Sequence, residues 1–110
     1  MESNEFEKAK VFSFNDSVEY ASGGILSKTV LNKETGNISL FSFAMGEALS
    51  EHTAPFDAMI QVVDGKGEVT IGGKLFILSA GEAIIMPANI PHSVTAVEKF
   101  KMVLTMIKSK

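Results

Sequence analysis

A chain of 110 residues is long enough to bury about two-thirds of its unfolded surface around one core, which excludes a second catalytic or DNA-binding domain. Hydrophobic residues make up 45% and charged residues 21%, too apolar for disorder, and a net charge of -3 with scattered lysines excludes the basic stripe that nucleic acid requires. The absence of cysteine excludes disulfides, thiolate metal ligands and a cysteine nucleophile.

The chain opens MESNEFEKAK, which is polar and acidic and lacks the apolar segment of a signal peptide, so a cytoplasmic setting is expected. No apolar run approaches the ~18 residues of a membrane span. Residues 1–10 are expected to form a flexible N-terminal segment anchored only by Phe6, and residues 11–110 one β-barrel domain. Val11, Phe12 and Phe14 predict a short first strand, and Asn15-Asp16-Ser17 predicts a turn. Ile25 to Leu31 predicts a strand, followed by a polar hairpin loop over 32–37.

Ile38 to Met45 places Phe41, Phe43 and Met45 on one parity and Ile38 and Leu40 on the other, so both faces of this strand need cover. That predicts a sandwich or a homodimer contact. His52 begins an extended segment running through Pro55 into Ala58 to Val63, and Asp64-Gly65 reads as a hairpin turn. Glu68 to Ile71 and Lys74 to Leu78 pair across Gly72-Gly73. Ala83 to Met86 is a short strand ended by Pro87, and residues 89–91 form a loop. His92 to Val97 and Phe100 to Ile107 are the last strands, the latter with Lys99 and Lys101 facing water. Many short strands with turns every eight to twelve residues and no convincing helix predict an all-β sandwich or barrel.

Only two histidines occur, and each follows a Gly-Glu turn. Such a pair is a metal site, the remains of one, or two hydrogen-bonding side chains in a pocket. The pattern Gly46-x5-His52, with Gly65 thirteen residues later, resembles the first motif of the cupin superfamily, and Gly81-x5-Pro87-x-Asn89-x2-His92 is similar to the second. The resemblance implies a small single-domain cupin, an all-β double-stranded β-helix or jelly-roll barrel. It also implies a divalent metal held by three histidines and a glutamate. Here only His52 and His92 fall on ligand positions; Ala54 and Ala58 stand where the second histidine and the glutamate are expected, and Asn89 stands for a glycine.

Two imidazoles leave most of a coordination sphere to solvent, so a divalent metal ion held by His52 and His92 is expected to bind weakly. Asp57 is expected to point away from the interior by strand alternation. Ala54, Ala58, Ile60 and Val62 share one parity, which predicts an apolar pocket with two imidazole tips, and Met45, Phe56 and Met86 stand beside it as wall or filling. The leading expectation is a domain that binds a small molecule, with metal weak or absent. The rivals are a metal-dependent dioxygenase- or isomerase-type enzyme using His52 and His92, and a structural or regulatory dimer module without a pocket.

Overall fold

The period-two alternation of the sequence is realised as eight strands in the computed structural model, which describes residues 5–108. They are β1 (Ile25–Lys33), β2 (Gly36–Phe43), β3 (Ala48–His52), β4 (Ala58–Ile71), β5 (Lys74–Ser79), β6 (Ala83–Met86), β7 (His92–Thr95) and β8 (Phe100–Ile107), with no helix among the described residues. Every pairing is antiparallel. One sheet runs β1-β2-β8-β4-β6 and the other β5-β4-β7-β3, and the long β4 belongs to both. This is the expected all-β jelly-roll barrel. No described helix is long and apolar enough to cross a membrane.

The passage of β4 from sheet to sheet corrects one expectation. Asp64-Gly65 is not a hairpin turn: β4 continues through it, with a bulge between Val62 and Asp64, and Gly65 pairs with Phe100. A bulge bends a strand without ending it, and a left-handed glycine serves that geometry as well as it serves a turn. Gly65 has φ +76°, and a Cβ there would lie 2.3 Å from the Lys99 carbonyl oxygen. The β5–β6 turn completes the bulge, since Val62 N–H donates to the Glu82 oxygen at 2.9 Å and Ala80 N–H to the Gly65 oxygen at 3.1 Å.

Side-chain parity divides β2 and β8 between two cores. Phe43 and Phe100 are register partners that stack inside the barrel at 4.6 Å between ring centroids, both fully buried. On the opposite face Leu40 pairs with Val103 and Ser42 with Lys101. The N-terminal segment covers that outer face: Val18 is buried in a second cluster with Val30, Leu40 and Val103, and Phe6 and Phe14 pack against it. The predicted need for cover on both faces of β2 is therefore met within the chain, and the argument for a dimer contact at that face falls.

Two further expectations change for the same reason. Val11, Phe12 and Phe14 form no strand; Val11 is 98% exposed, while Phe12 bridges Phe6 and Phe14 edge-to-face with centroids at 4.8 and 5.3 Å. Ring packing replaces strand pairing there. Lys101 does not face water. It is 7% exposed beneath the N-terminal segment, donating from Nζ to the Asn15 carbonyl oxygen at 2.6 Å and to Asn15 Oδ1 at 3.0 Å. Of the flexible segment expected over 1–10, residues 1–4 lie outside the described residues, whereas Phe6 N–H donates to the Val30 oxygen and Glu5 Oε2 accepts from Asn32 N–H along the edge of β1. Finally, the first hairpin turns tightly at Glu34-Thr35, because β1 and β2 extend into the predicted loop.

Candidate functional site

His52 closes β3 and His92 opens β7, rather than His52 beginning a strand as its sequence context predicts. The two are register partners across the β3–β7 ladder, with a bulge between Leu49 and His52. Cross-strand partners present their side chains on one face, so the fold brings together imidazoles forty residues apart. Their Nε2 atoms lie 3.2 Å apart, with ring centroids at 4.4 Å and ring planes at 70°. His92 is 6% exposed and His52 is exposed, so the pair has one wall in the protein and one open to solvent.

Each ring is fixed from behind by a main-chain carbonyl two residues earlier. His52 Nδ1 lies 2.9 Å from the Ser50 oxygen, and His92 Nδ1 lies 3.2 Å from the Ile90 oxygen. A carbonyl only accepts, so both Nδ1 atoms carry hydrogen, and a neutral imidazole has only one. Both Nε2 atoms are then lone pairs aimed at one another. Three contacts require three hydrogens, and two neutral rings supply two. The arrangement is complete only when an electron-pair acceptor comes between the two nitrogens: a third proton, a hydrogen-bond donor or a cation. Burial of His92, and then the neighbouring His52, hold its pKa below the ordinary 6.5 against the opposing pull of the Ile90 carbonyl.

The loops around the pair are stapled together. Asn89 N–H donates to the Ala54 oxygen at 2.7 Å, Ala88 N–H to Asp57 Oδ1 at 2.9 Å, and Gly72 N–H to the Pro91 oxygen at 2.8 Å. Asn89 has φ 66°, a left-handed conformation that Asn tolerates better than most residues, which explains why it can stand where the resemblance gives glycine. Asp57 and Asn89 position the site without lining it. Sequence reading gave Asp57 no such role; for Asn89, a polar residue in place of a turn glycine is the signal.

The remaining predicted residues separate. Ala58, Ile60 and Met86 are in the packed inner core, 5%, 0% and 3% exposed, with Ala58 and Met86 as register partners. Ala54 and Phe56 are half-buried in the loop after His52. Met45 is 73% exposed, because β2 ends at Phe43 and the turn closed by Glu47 N–H to the Ala44 oxygen interrupts the alternation that placed it inside.

A divalent ion is the group that the resemblance implies, and the two Nε2 atoms suit it. Bonds of about 2.0–2.1 Å at a near-tetrahedral angle set two imidazole nitrogens ~3.3 Å apart, and metal-binding histidines commonly donate the other N–H to a carbonyl. The fit stops at two ligands. Among the described residues no group of three or more His, Cys, Asp or Glu side chains is placed to hold a metal. Asp57, in the loop after His52, accepts from Ala88 N–H.

Comparison with known proteins agrees with this fold. A family model described as a cupin domain matches residues 39–108. Among solved structures, a conserved protein of unknown function from Streptococcus pyogenes superposes with a TM-score of 0.91 at 34% identity, covering 97% of this chain and 94% of that one. A cupin 2 conserved barrel domain protein from Leptotrichia buccalis gives 0.86 at 44% identity, over 88% of this chain and 47% of that one. A curated protein, polyketide synthase CurC of Streptomyces cyaneus, is 29% identical over 69 residues, 62% of this chain and 45% of that protein. The chain spans about half the length of these last two.

Proposed function

The chain belongs to the cupin domain family, and from that premise we propose that it binds a small molecule between His52 and His92, with any divalent ion held weakly. The observation that carries this reading is the pair of Nε2 lone pairs converging at 3.2 Å on a face that is open on the His52 side. Ala54 and Phe56, half-buried beside His52, offer an apolar flank, and a few polar groups on apolar walls are what small-molecule sites present. The interior proper takes no part in the binding, since Ile60, Val62 and Met102 fill it.

The test is a titration of hydroxy acids and keto acids into untagged protein, followed by the imidazole 15N signals, with elemental analysis of the same sample. Ring shifts that disappear in the His52→Ala/His92→Ala double variant, with metal well below one per chain, are the expected result. A panel in which no compound moves either ring signal defeats the reading.

The 3.2 Å separation also favours a second reading, a metal-dependent enzyme of the dioxygenase or isomerase kind, with His52 and His92 as protein ligands and the ion as a Lewis acid on a bound oxygen. Near-stoichiometric metal lost together with turnover in the double variant distinguishes it. Homodimerisation in a cytoplasmic setting stays within the proposal, now on a different surface. Among the described residues strand β6 pairs on one side only, with β4, and presents Ile85 at 64% exposure. Light scattering at micromolar concentration that returns only the monomer mass excludes it.

A further inference from the structure

We propose that the outer face of the β1-β2-β8-β4-β6 sheet binds a free alkylammonium ion, a short apolar chain ending in a cationic amine, in a groove across β8, β4 and β6. This site is separate from the histidine pair and shares no side chain with it.

Strand register builds the groove. Met59 of β4 has Thr105 of β8 as its partner on one side and Ile85 of β6 on the other, so the three side chains stand in one row. Ala58 and Ile60, the neighbours of Met59 in the chain, are buried in the inner core, which turns Met59 and its row to the outer face. One step along, Ile107 N–H donates to the Asp57 oxygen at 3.2 Å, and each of these residues stands two positions from a member of that row. Two exposed isoleucines, Ile85 and Ile107, thus flank the half-buried Met59, with Asp57 at the end. The N-terminal segment that covers Leu40 and Val103 on this same face leaves both isoleucines exposed. The space between them is about 290 Å³, lined by Asp57, Ala58, Met59, Ile85, Thr105 and Ile107.

Charge and size select the occupant. Asp57 accepts a hydrogen bond from Ala88 N–H, and a carboxylate has capacity for more than one. Among the described residues no ion pair involves it, so an uncompensated negative charge stands beside apolar walls, on a chain of net charge -3. An ammonium group answers that carboxylate and donates to the Thr105 hydroxyl, while its alkyl chain lies along Ile85, Met59 and Ile107. A carboxylate ligand is repelled, and a neutral chain leaves Asp57 unanswered. Six lining residues are far fewer than the ~20–30 a side of a stable protein interface, so the groove by itself suits a free small molecule rather than a protein partner. The flexible thioether of Met59 lets the floor adapt to the chain.

The experiment titrates hexylammonium, hexanoate, hexanol, methylammonium and Nα-acetyl-lysine amide into the untagged full chain at neutral pH, where the amines are cationic. It follows the methyl signals of Met59, Ile85 and Ile107 together with the imidazole 15N signals. Hexylammonium is expected to move the three methyl signals saturably and to leave both rings in place. Hexanol is expected to bind ~3–5-fold more weakly, methylammonium at least ~10-fold more weakly, and hexanoate more weakly than hexanol. Asp57→Asn keeps an acceptor for Ala88 N–H and is expected to bring hexylammonium down to the affinity of hexanol, whereas Ile85→Ser weakens both. Hexanoate binding as well as hexylammonium overturns the proposal, as does hexylammonium binding that neither substitution changes. A lysine amide that binds tighter than hexylammonium overturns it by assigning the groove to a protein side chain, and methyl signals that move on dilution of the protein alone overturn it by assigning the groove to a second copy. Silence of the methyl signals toward every probe overturns it equally, whatever the rings do.

Discussion

Two polar clusters interrupt the apolar faces of this barrel, and they differ in one respect. Under the N-terminal segment, Lys101 donates to Asn15 O and Oδ1, Ser42 Oγ donates to the Glu19 oxygen at 2.8 Å, and Tyr20 Oη donates to Asp64 Oδ2 at 2.5 Å. In these bonds each donor meets an acceptor, and the Lys99 and Lys101 ammonium groups lie 4.6 and 4.9 Å from the Tyr20 ring centroid. At the end of β3, His52 and His92 also make every heavy-atom contact, yet their hydrogens fall one short. A closed network stabilises a fold, whereas a network missing one electron-pair acceptor can take one up from outside. The first cluster fastens residues 5–24 to the sheet; the second carries the proposed ligand site.

The largest effect that tests this contrast is Lys101→Ala. The substitution leaves the Asn15 acceptors without their donor and opens space beneath the segment, so a loss of about 2–3 kcal/mol is expected in urea denaturation. Lys101→Met restores the volume and is expected to recover part of it. A loss under about 0.5 kcal/mol for the alanine variant would make the cluster a solvated surface and erase the contrast. Tyr20→Phe removes one donor from the same cluster. Burial first, then the hydrogen bond and charge of Asp64 and the charge of Glu98, push this phenol above its usual pKa, so it stays a neutral donor across the working range. Loss of that bond is expected to cost about 1 kcal/mol, and an unchanged midpoint would show that Asp64 finds water as readily.

These regions were unequally legible in the sequence. Alternation from Phe100 to Met106 gave the correct strand and the correct inward face, because one side of β8 lines the inner core. The same alternation put Lys101 outward, which is right, and then into water, which is wrong. No local pattern reveals that a segment some eighty residues earlier folds over that face. The rings of Phe6, Phe12 and Phe14 carried the hint, but Val11, Phe12 and Phe14 read instead as a strand because Val and Phe favour strands wherever one face is covered. At the histidine pair, motif spacing singled out both residues as candidates, while their pairing in register needed the bulge after Leu49 that spacing does not encode. Met45 was misplaced because parity was carried two residues beyond the true end of β2.

Smaller effects belong to the open cluster. Burial favours neutral His92 in the fold, so the unfolded chain takes up that proton first. Its contribution to stability is present above the ordinary histidine value of 6.5, declines as pH falls through it, and levels off below the depressed folded value. Urea titrations at pH 7.5 and 5.5 are expected to show a larger loss on acidification for the parent than for His92→Gln; equal losses would mean the ring titrates as it does in water. The least effect is expected from His52→Ala. His52 is exposed, its Nδ1 contact is to a carbonyl two residues away, and its Nε2 meets a second lone pair rather than a donor. Removing it relieves the lone-pair conflict while deleting one weak local bond, so stability is expected to stay within about 0.5 kcal/mol of the parent. A loss of 2 kcal/mol or more would show that the two imidazoles share a proton in the resting fold. The pair would then be as closed as the cluster under the N-terminal segment, and its claim to a ligand would fall with the difference between them.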